Sequence, residues 1–383
     1  MAVAPHAGEL PSDLVRRVQP GSAVDYDRLE VPKCLAVQRF QTRSQGGVRI
    51  MTRDNDTDAD HSLPPTIMSM ARPQISVVVF IGERRRRALR CLSALAAQQN
   101  PPSMEIIVVD LYPQAGPLEL PELSTVRYFP FAEATSIPHA KAHGARQAAG
   151  LTIAFLEDHC VPGPGWAAAV WRAFDDHPDV TAVAYAFRNL NPVNYVSRAF
   201  FVLAYGPWMA PAAGGPIDAP SWMNVAYRAS CLRPHLSGFE HLLSCEFLFH
   251  ATLRRQGLRF WHAAGAEVFH LNHPRLLGSC RDSAVWQRLF ASARVRNEAW
   301  GWPRRVVYFC GAPLNPLVIA WRLGRRLWQR PELRRQFFLS LPLVLTVYTF
   351  GMCNEALGYL FGPGASGRKS IEVETVDPRG ETP

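Results

Sequence analysis

From Ile75 to Leu271 the chain alternates short, nearly continuous apolar runs with stretches whose apolar residues recur at helical spacing. Ile75–Phe80 (ISVVVF) is such a run, rich in β-branched residues, and predicts a strand covered on both faces. After a turn at Gly82, Ala88, Leu89, Cys91, Leu92, Leu95 and Ala96 fall on one face of a helix predicted over Arg85–Gln99, which Pro101 and Pro102 end. Glu105–Asp110 predicts a second strand, closed by an acid, and Thr125–Phe129 a third. This β-α-β opening places the chain in the α/β class, with a mostly parallel sheet and helices on its faces.

The pattern continues. His139–Ala149 predicts a helix closed by Gly150, and Leu151–Leu156 a buried strand that stops abruptly at Glu157, Asp158 and His159. A turn at Pro162–Gly165 leads to a helix over Trp166–Phe174 and a strand over Val180–Phe187. Asn191–Gly215 mixes aromatics with glycine and proline without a clean period, which predicts a large substrate-facing or membrane-near loop. Residues 221–229 predict a strand carrying Asn224, Leu242–Gln256 an amphipathic helix, and Phe260–Leu271 an extended segment with His262 and His270. Arg275–Trp300 predicts a further helix.

Both ends differ from this middle. Residues 1–73 show little periodicity and predict a flexible extension with one ordered piece around Leu35–Ile50; residues 364–383 are polar and predict a disordered tail. Sixteen uncharged residues separate Arg305 from Arg322, and a longer apolar run covers Gln336–Asn354. These lengths sit near the lower limit of a membrane span, with Pro313 and Pro316 predicting a break or re-entrant turn in the first. Arg322, Arg325, Arg326, Arg330, Arg334 and Arg335 are positioned to meet anionic headgroups on the cytoplasmic face of the cell membrane. The domain expectation is therefore an α/β domain over 74–275 and a helical region over 276–363 that associates with membrane or forms a homodimer interface.

Composition narrows the chemistry. The net charge of +9 permits nucleic acid, anionic lipid or phosphorylated small molecules. The aromatic-rich tract lacks interleaved basic residues, which excludes a nucleic-acid surface. The eight cysteines include no Cys-x-x-Cys pair, which excludes a zinc ribbon or dithiol redox site and fits a reducing compartment. The first twenty residues hold no apolar core of a signal peptide. The strongest chemical signal is the strand-end triplet. Glu157, Asp158 and His159 emerge where open α/β sheets place their sites, and two carboxylates with an imidazole suit Mn²⁺ or Mg²⁺ when phosphate oxygens complete the shell.

Several separated blocks resemble the inverting nucleotide-sugar glycosyltransferases of family 2, which have the GT-A fold. Ile75–Phe80, Arg90-Cys91-Leu92-Ser93-Ala94-Leu95 and Glu105–Asp110 match the family's opening block. Lys141, Gly144, Ala148 and Gly150, followed by Phe155-Leu156-Glu157-Asp158-His159, keep the spacing of its second block. Counting back from Gly257 puts Cys245 and Glu246 at the family's acceptor-side Glu-Asp, and Ala264–His270 resembles the strand that brings a late histidine to the metal. The resemblance covers residues 74–275 and implies a membrane-associated bacterial type of enzyme. It would transfer a hexose-like sugar with inversion from a nucleoside-diphosphate sugar to a lipid-linked or surface-glycan acceptor.

The same resemblance implies roles. Asp158, His159 and His270 would hold Mn²⁺ or Mg²⁺; Glu83, Asp110, Lys141 and Glu157 would hold the donor; Glu246 would be the general base. The chain departs from the family pattern: Leu111 follows Asp110 where a second aspartate is usual, Cys245 replaces a glutamate and Glu157 an aspartate, while Lys141, Ala142 and His159 stand where arginine, asparagine and a further aspartate are usual. The alternative is a catalytically weakened relative that binds or scaffolds in glycan assembly.

Overall fold

A computed structural model describes residues 72–116, 118, 126–236 and 238–376. The expected N-terminal extension, its Leu35–Ile50 piece and residues 377–383 lie outside the described residues. The described residues belong to one compact unit.

The opening β-α-β folds as its pattern dictates. β1 (Ile75–Ile81) and β2 (Met104–Asp110) flank α1 (Arg85–Ala96), and β3 (Val126–Pro130) precedes α2 (Ile137–Gln147) and β4 (Thr152–Glu157). A short β5 (Cys160–Pro162), α3 (Trp166–Asp176), β6 (Val180–Asn189) and α4 (Tyr195–Tyr205) follow. Then come β7 (Gly215–Ile217), β8 (Val225–Arg228), the short α5 (Ala229–Leu232) and α6 (Phe239–Leu243), α7 (Glu246–Arg255) and the long β9 (Arg259–His270). The sheet runs β3-β2-β1-β4-β8-β6-β9-β5, with β7 on β9. Its β3-β2-β1-β4 half is parallel, β8 enters antiparallel, and β6 pairs with β9 in parallel.

Alternation along each strand divides the core. Val77, Val79, Ala154 and Leu156 meet α1 and α3 on one face, while Val78, Phe80, Ile153 and Phe155 meet α2, α6 and α7 on the other. Gly144 lets α2 lie directly on Val78 and Val109, with no room for a Cβ between them. The registers bring the functional strand ends together: Phe80 lies beside Glu157, and His270 beside both Asn189 and Cys160.

The remaining helices are α8 (Leu276–Asn297), α9 (Trp302–Gly311), α10 (Asn315–Trp328), α11 (Pro331–Phe361) and α12 (Ser366–Thr375). Three expectations are corrected here. Part of the predicted loop over Asn191–Gly215 is α4, capped by the Asn194 side chain, which accepts the Ser197 N–H at 2.9 Å. The predicted helix over Leu242–Gln256 is two helices, α6 and α7, separated at Ser244 and Cys245. Residues 366–375 of the predicted disordered tail form α12, with Ser370 and Thr375 fully buried.

Pro313 and Pro316 do not produce a re-entrant break. Each stands in the first turn of its helical segment, where no backbone donor is needed, so the stretch from Trp302 to Trp328 stays helical throughout. This stretch and Pro331–Phe361 are long and apolar enough to cross a membrane by length and composition. Only 17 % and 33 % of their apolar windows are buried, unlike helices enclosed in a soluble core.

Candidate metal centre

Glu157 ends β4, His159 lies two residues on, and His270 ends β9. Their ligand atoms converge: His159 Nε2 is 3.1 Å from His270 Nε2, and Glu157 Oε2 lies 3.6 Å from each. All three side chains are buried, and together they form a group able to hold a metal ion. His159 Nδ1 faces Asp158 Oδ1 at 3.3 Å, and His270 Nδ1 faces Asn272 Oδ1 at 2.9 Å. An acceptor at each Nδ1 assigns the ring proton there and turns both Nε2 lone pairs inward. Two lone pairs at that separation repel unless a cation lies between them. The edges of this triangle also suit ligands each about 2 Å from a common ion.

Glu157 is fixed from the other side. Asn224 Nδ2 donates to its Oε2, Tyr205 OH donates to the same oxygen at 3.2 Å, and Asn224 Oδ1 accepts the Glu157 N–H at 2.9 Å. Asn224 also donates to Tyr205 at 3.0 Å, closing the support.

The two carboxylates of the triplet face different neighbours. Glu157 stands with the histidines, whereas Asp158 continues on the side of Leu156, where α1 lies, and meets Arg87. Arg87 Nε is 2.9 Å from Asp158 Oδ1 and its Nη2 is 3.2 Å from Oδ2, with both side chains buried. Asp158 therefore reaches the centre through His159 Nδ1.

The other sequence candidates divide. Asp110 is fully buried and already occupied: Arg85 Nη2 lies at 2.9 Å, Tyr128 OH donates at 2.5 Å, and the Tyr112 N–H donates at 2.9 Å. Burial and the Asp110 carboxylate push the Tyr128 phenol up to about 12, which keeps it a donor. Glu83 is exposed beside the end of β1. Lys141 and Glu246 form a buried ion pair behind the sheet. The Lys141 ammonium also donates to Met223 O at 3.2 Å, while the other Glu246 oxygen accepts the Met223 N–H. This pair ties α2, the Met223 turn and α7 together. Glu246, which the family resemblance implies as the general base, is thus an interior carboxylate with both oxygens engaged. Trp222 and Trp261 pack on Trp286 and His177.

Residues 76–225 match the family model described as Glycosyl transferase family 2. The family 2 match runs from β1 to the first residue of β8 and contains Glu157, Asp158, His159 and Asn224. With it, the sheet is a Rossmann-like GT-A sheet with flanking helices, extended by the apolar helical region. Among solved structures, the chain is similar to GalNAc-T7 crystallised with UDP, GalNAc and Mn²⁺. That likeness has 12 % identity, 52 % of this chain and 43 % of that one, and a TM-score of 0.40. It is also similar to residues 1–349 of S. aureus TarS in complex with UDP, at 13 % identity, 75 % of this chain and 90 % of that one, with a TM-score of 0.39. The chain thus spans less than half the length of the first. No curated protein matches it.

Sequence reasoning missed Arg87, Tyr205, Asn272 and Glu374 as parts of the site. Arg87 had a signal in the Arg84–Arg87 cluster. Tyr205 lies in a segment without visible period, and Glu374 in a segment too polar to suggest order. Glu374 Oε2 is 3.9 Å from His159 Nε2.

Proposed function

We propose that this chain is a divalent-metal-dependent glycosyltransferase that moves a sugar, with inversion, from a nucleoside-diphosphate sugar to a hydroxyl of a lipid-linked or surface-glycan acceptor. The observation that carries this assignment is the Glu157–His159–His270 triangle at the C-terminal edge of the sheet, built on a region that matches the family 2 model. Glu157, His159 and His270 would hold the ion, and their mixed donor set favours Mn²⁺ over the oxygen-seeking Mg²⁺. Bound there, the ion would supply positive charge to the leaving diphosphate.

The chain's own residues supply the rest. Asn224 and Tyr205 orient the Glu157 carboxylate, and Asp158 and Asn272 orient the imidazoles. Arg84 and Arg87 bring positive charge to the end of β1, where the diphosphate would pass. Glu83 and the Asp110 end of β2 border the space for base and ribose. Glu246, tied to Lys141 and the Met223 amide, is assigned to the framework and not to proton transfer. The exposed apolar surface of α9 to α11, flanked by the arginine cluster, favours work at an anionic membrane surface, on its cytoplasmic face.

Isothermal titration with UDP, GDP and TDP, each with and without Mn²⁺, tests the donor site. Metal-dependent binding of one of them, lost in His270→Ala, is expected. Absence of binding in every folded form of the chain, with or without lipid, overturns the assignment in favour of a scaffold role.

A further inference from the structure

α12 lies across the C-terminal ends of the parallel strands, on the groups that a diphosphate would need. Thr375 presses on Gly82 so closely that no side chain fits between them. Arg84 Nε donates to Val376 O at 3.0 Å, and Arg87 Nη2 donates to Glu374 O. Ser370 Oγ accepts the Ile137 N–H at 3.2 Å, at the start of α2. The Glu374 carboxylate takes the Trp286 indole N–H at 3.0 Å through Oε1 and turns Oε2 toward His159.

The chemistry of this end is anionic. The last carbonyls of a helix carry its negative pole, and here they meet two guanidinium groups, with a carboxylate beside the candidate metal centre. Two negative elements, close together and bridging cationic groups, reproduce the charge pattern of a diphosphate. The link from α11 is Gly362-Pro363-Gly364, in which both glycines hold positive φ (74° and 51°), a conformation that suits a hinge.

We propose that α12 is a built-in occupant of the donor cleft. The C-terminal end of the helix and the Glu374 carboxylate take the places of the donor's diphosphate, and the nucleotide sugar enters only when α12 swings out about the Gly362–Gly364 link. This rests on the donor-site assignment above. An occupant that fills the cleft in most molecules lowers apparent donor affinity in proportion to the small open fraction, about ten-fold when nine tenths are closed.

The test uses the full-length chain in three forms: wild type, Thr375→Arg, whose side chain cannot fit against Gly82, and the milder Glu374→Gln. Each is titrated with UDP, GDP and TDP in the presence of Mn²⁺, and hydrogen exchange is followed over residues 366–376. Expected are faster exchange in this segment of Thr375→Arg, tighter binding of one nucleotide by about ten-fold, and a smaller change of the same sign in Glu374→Gln. Nucleotide added to wild type also accelerates exchange in α12. Unchanged or weaker binding in the variants overturns the occupant and leaves the donor site standing. No binding in any form, with α12 released by the exchange criterion, overturns the donor site and the occupant together.

Discussion

Arg87 holds Asp158 through two contacts, Nε–Oδ1 at 2.9 Å and Nη2–Oδ2 at 3.2 Å, across the interface between α1 and the end of β4. Both partners are buried, so neither can find water if the other is removed. Arg87→Met is expected to destabilise the fold by about 3–5 kcal/mol, the cost of leaving a buried charge unpaired. Adding Asp158→Asn should recover part of that loss. Denaturant unfolding of the two single variants and the double variant measures the coupling.

Asn272 touches the candidate metal only through His270. Removing it in Asn272→Ala frees the ring to rotate and to change tautomer, and a loss of about 10–100-fold in Mn²⁺ affinity is expected. Co²⁺ absorption, competed with Mn²⁺, reads this without any sugar substrate. An unchanged competition curve would remove Asn272 from the supporting shell.

Glu246 gives a clean separation of roles. As a buried partner of Lys141, it should cost stability when changed to Gln, by roughly 3 kcal/mol, and Lys141→Met should cost a similar amount, while the double change restores most of it. A general base would behave differently, with turnover falling while the unfolding midpoint stayed in place.

His250, fully enclosed beside Tyr227, is held down to about 3, first by burial and second by the Lys141 charge. Its folded-state value lies below the unfolded one, so the unfolded chain binds the proton first as pH falls. Stability from this residue is complete above about pH 6.5 and declines below it, by about 2 kcal/mol at pH 5. Unfolding curves at pH 7 and pH 5 should differ less in His250→Gln than in wild type.

Trp302, Leu317, Trp321, Phe338 and Leu339 are each more than half exposed on helices that also carry the arginine cluster. The protein is expected to float with vesicles containing phosphatidylglycerol and to be partly released by salt. Trp321→Glu with Phe338→Glu should abolish flotation, and retained flotation would locate the contact elsewhere.

Strands β1, β2 and β4 were legible in the sequence because a parallel strand buried on both faces is written as a continuous apolar run. The same logic put Glu157 and His159 at the end of a strand, while His270 was singled out by the family resemblance. It could not tell which carboxylate faces the histidines, since that choice depends on Arg87, 71 residues away from Asp158. α4 escaped notice because Ala199, Phe200, Phe201 and Val202 are all buried, leaving no polar face to set a helical period. α12 escaped for the opposite reason. Its buried positions include Ser370 and Glu374, which bond to Ile137 and Trp286 on distant parts of the chain.

Those partners also govern the order in which the molecule can be assembled. Lys141 and Glu246 are 105 residues apart, His159 and His270 are 111 apart, and Arg87 and Glu374 are 287 apart. The β1-α1-β2 unit can close through local contacts, but each of these pairs must first bear the entropy of a long loop. A chain that has closed only its β1-α1-β2 unit is still without its site, because His270 reaches His159 only when β9 pairs with β5. The candidate metal triangle is therefore a late product of assembly, complete only when the last-made long strand, β9, has joined the sheet.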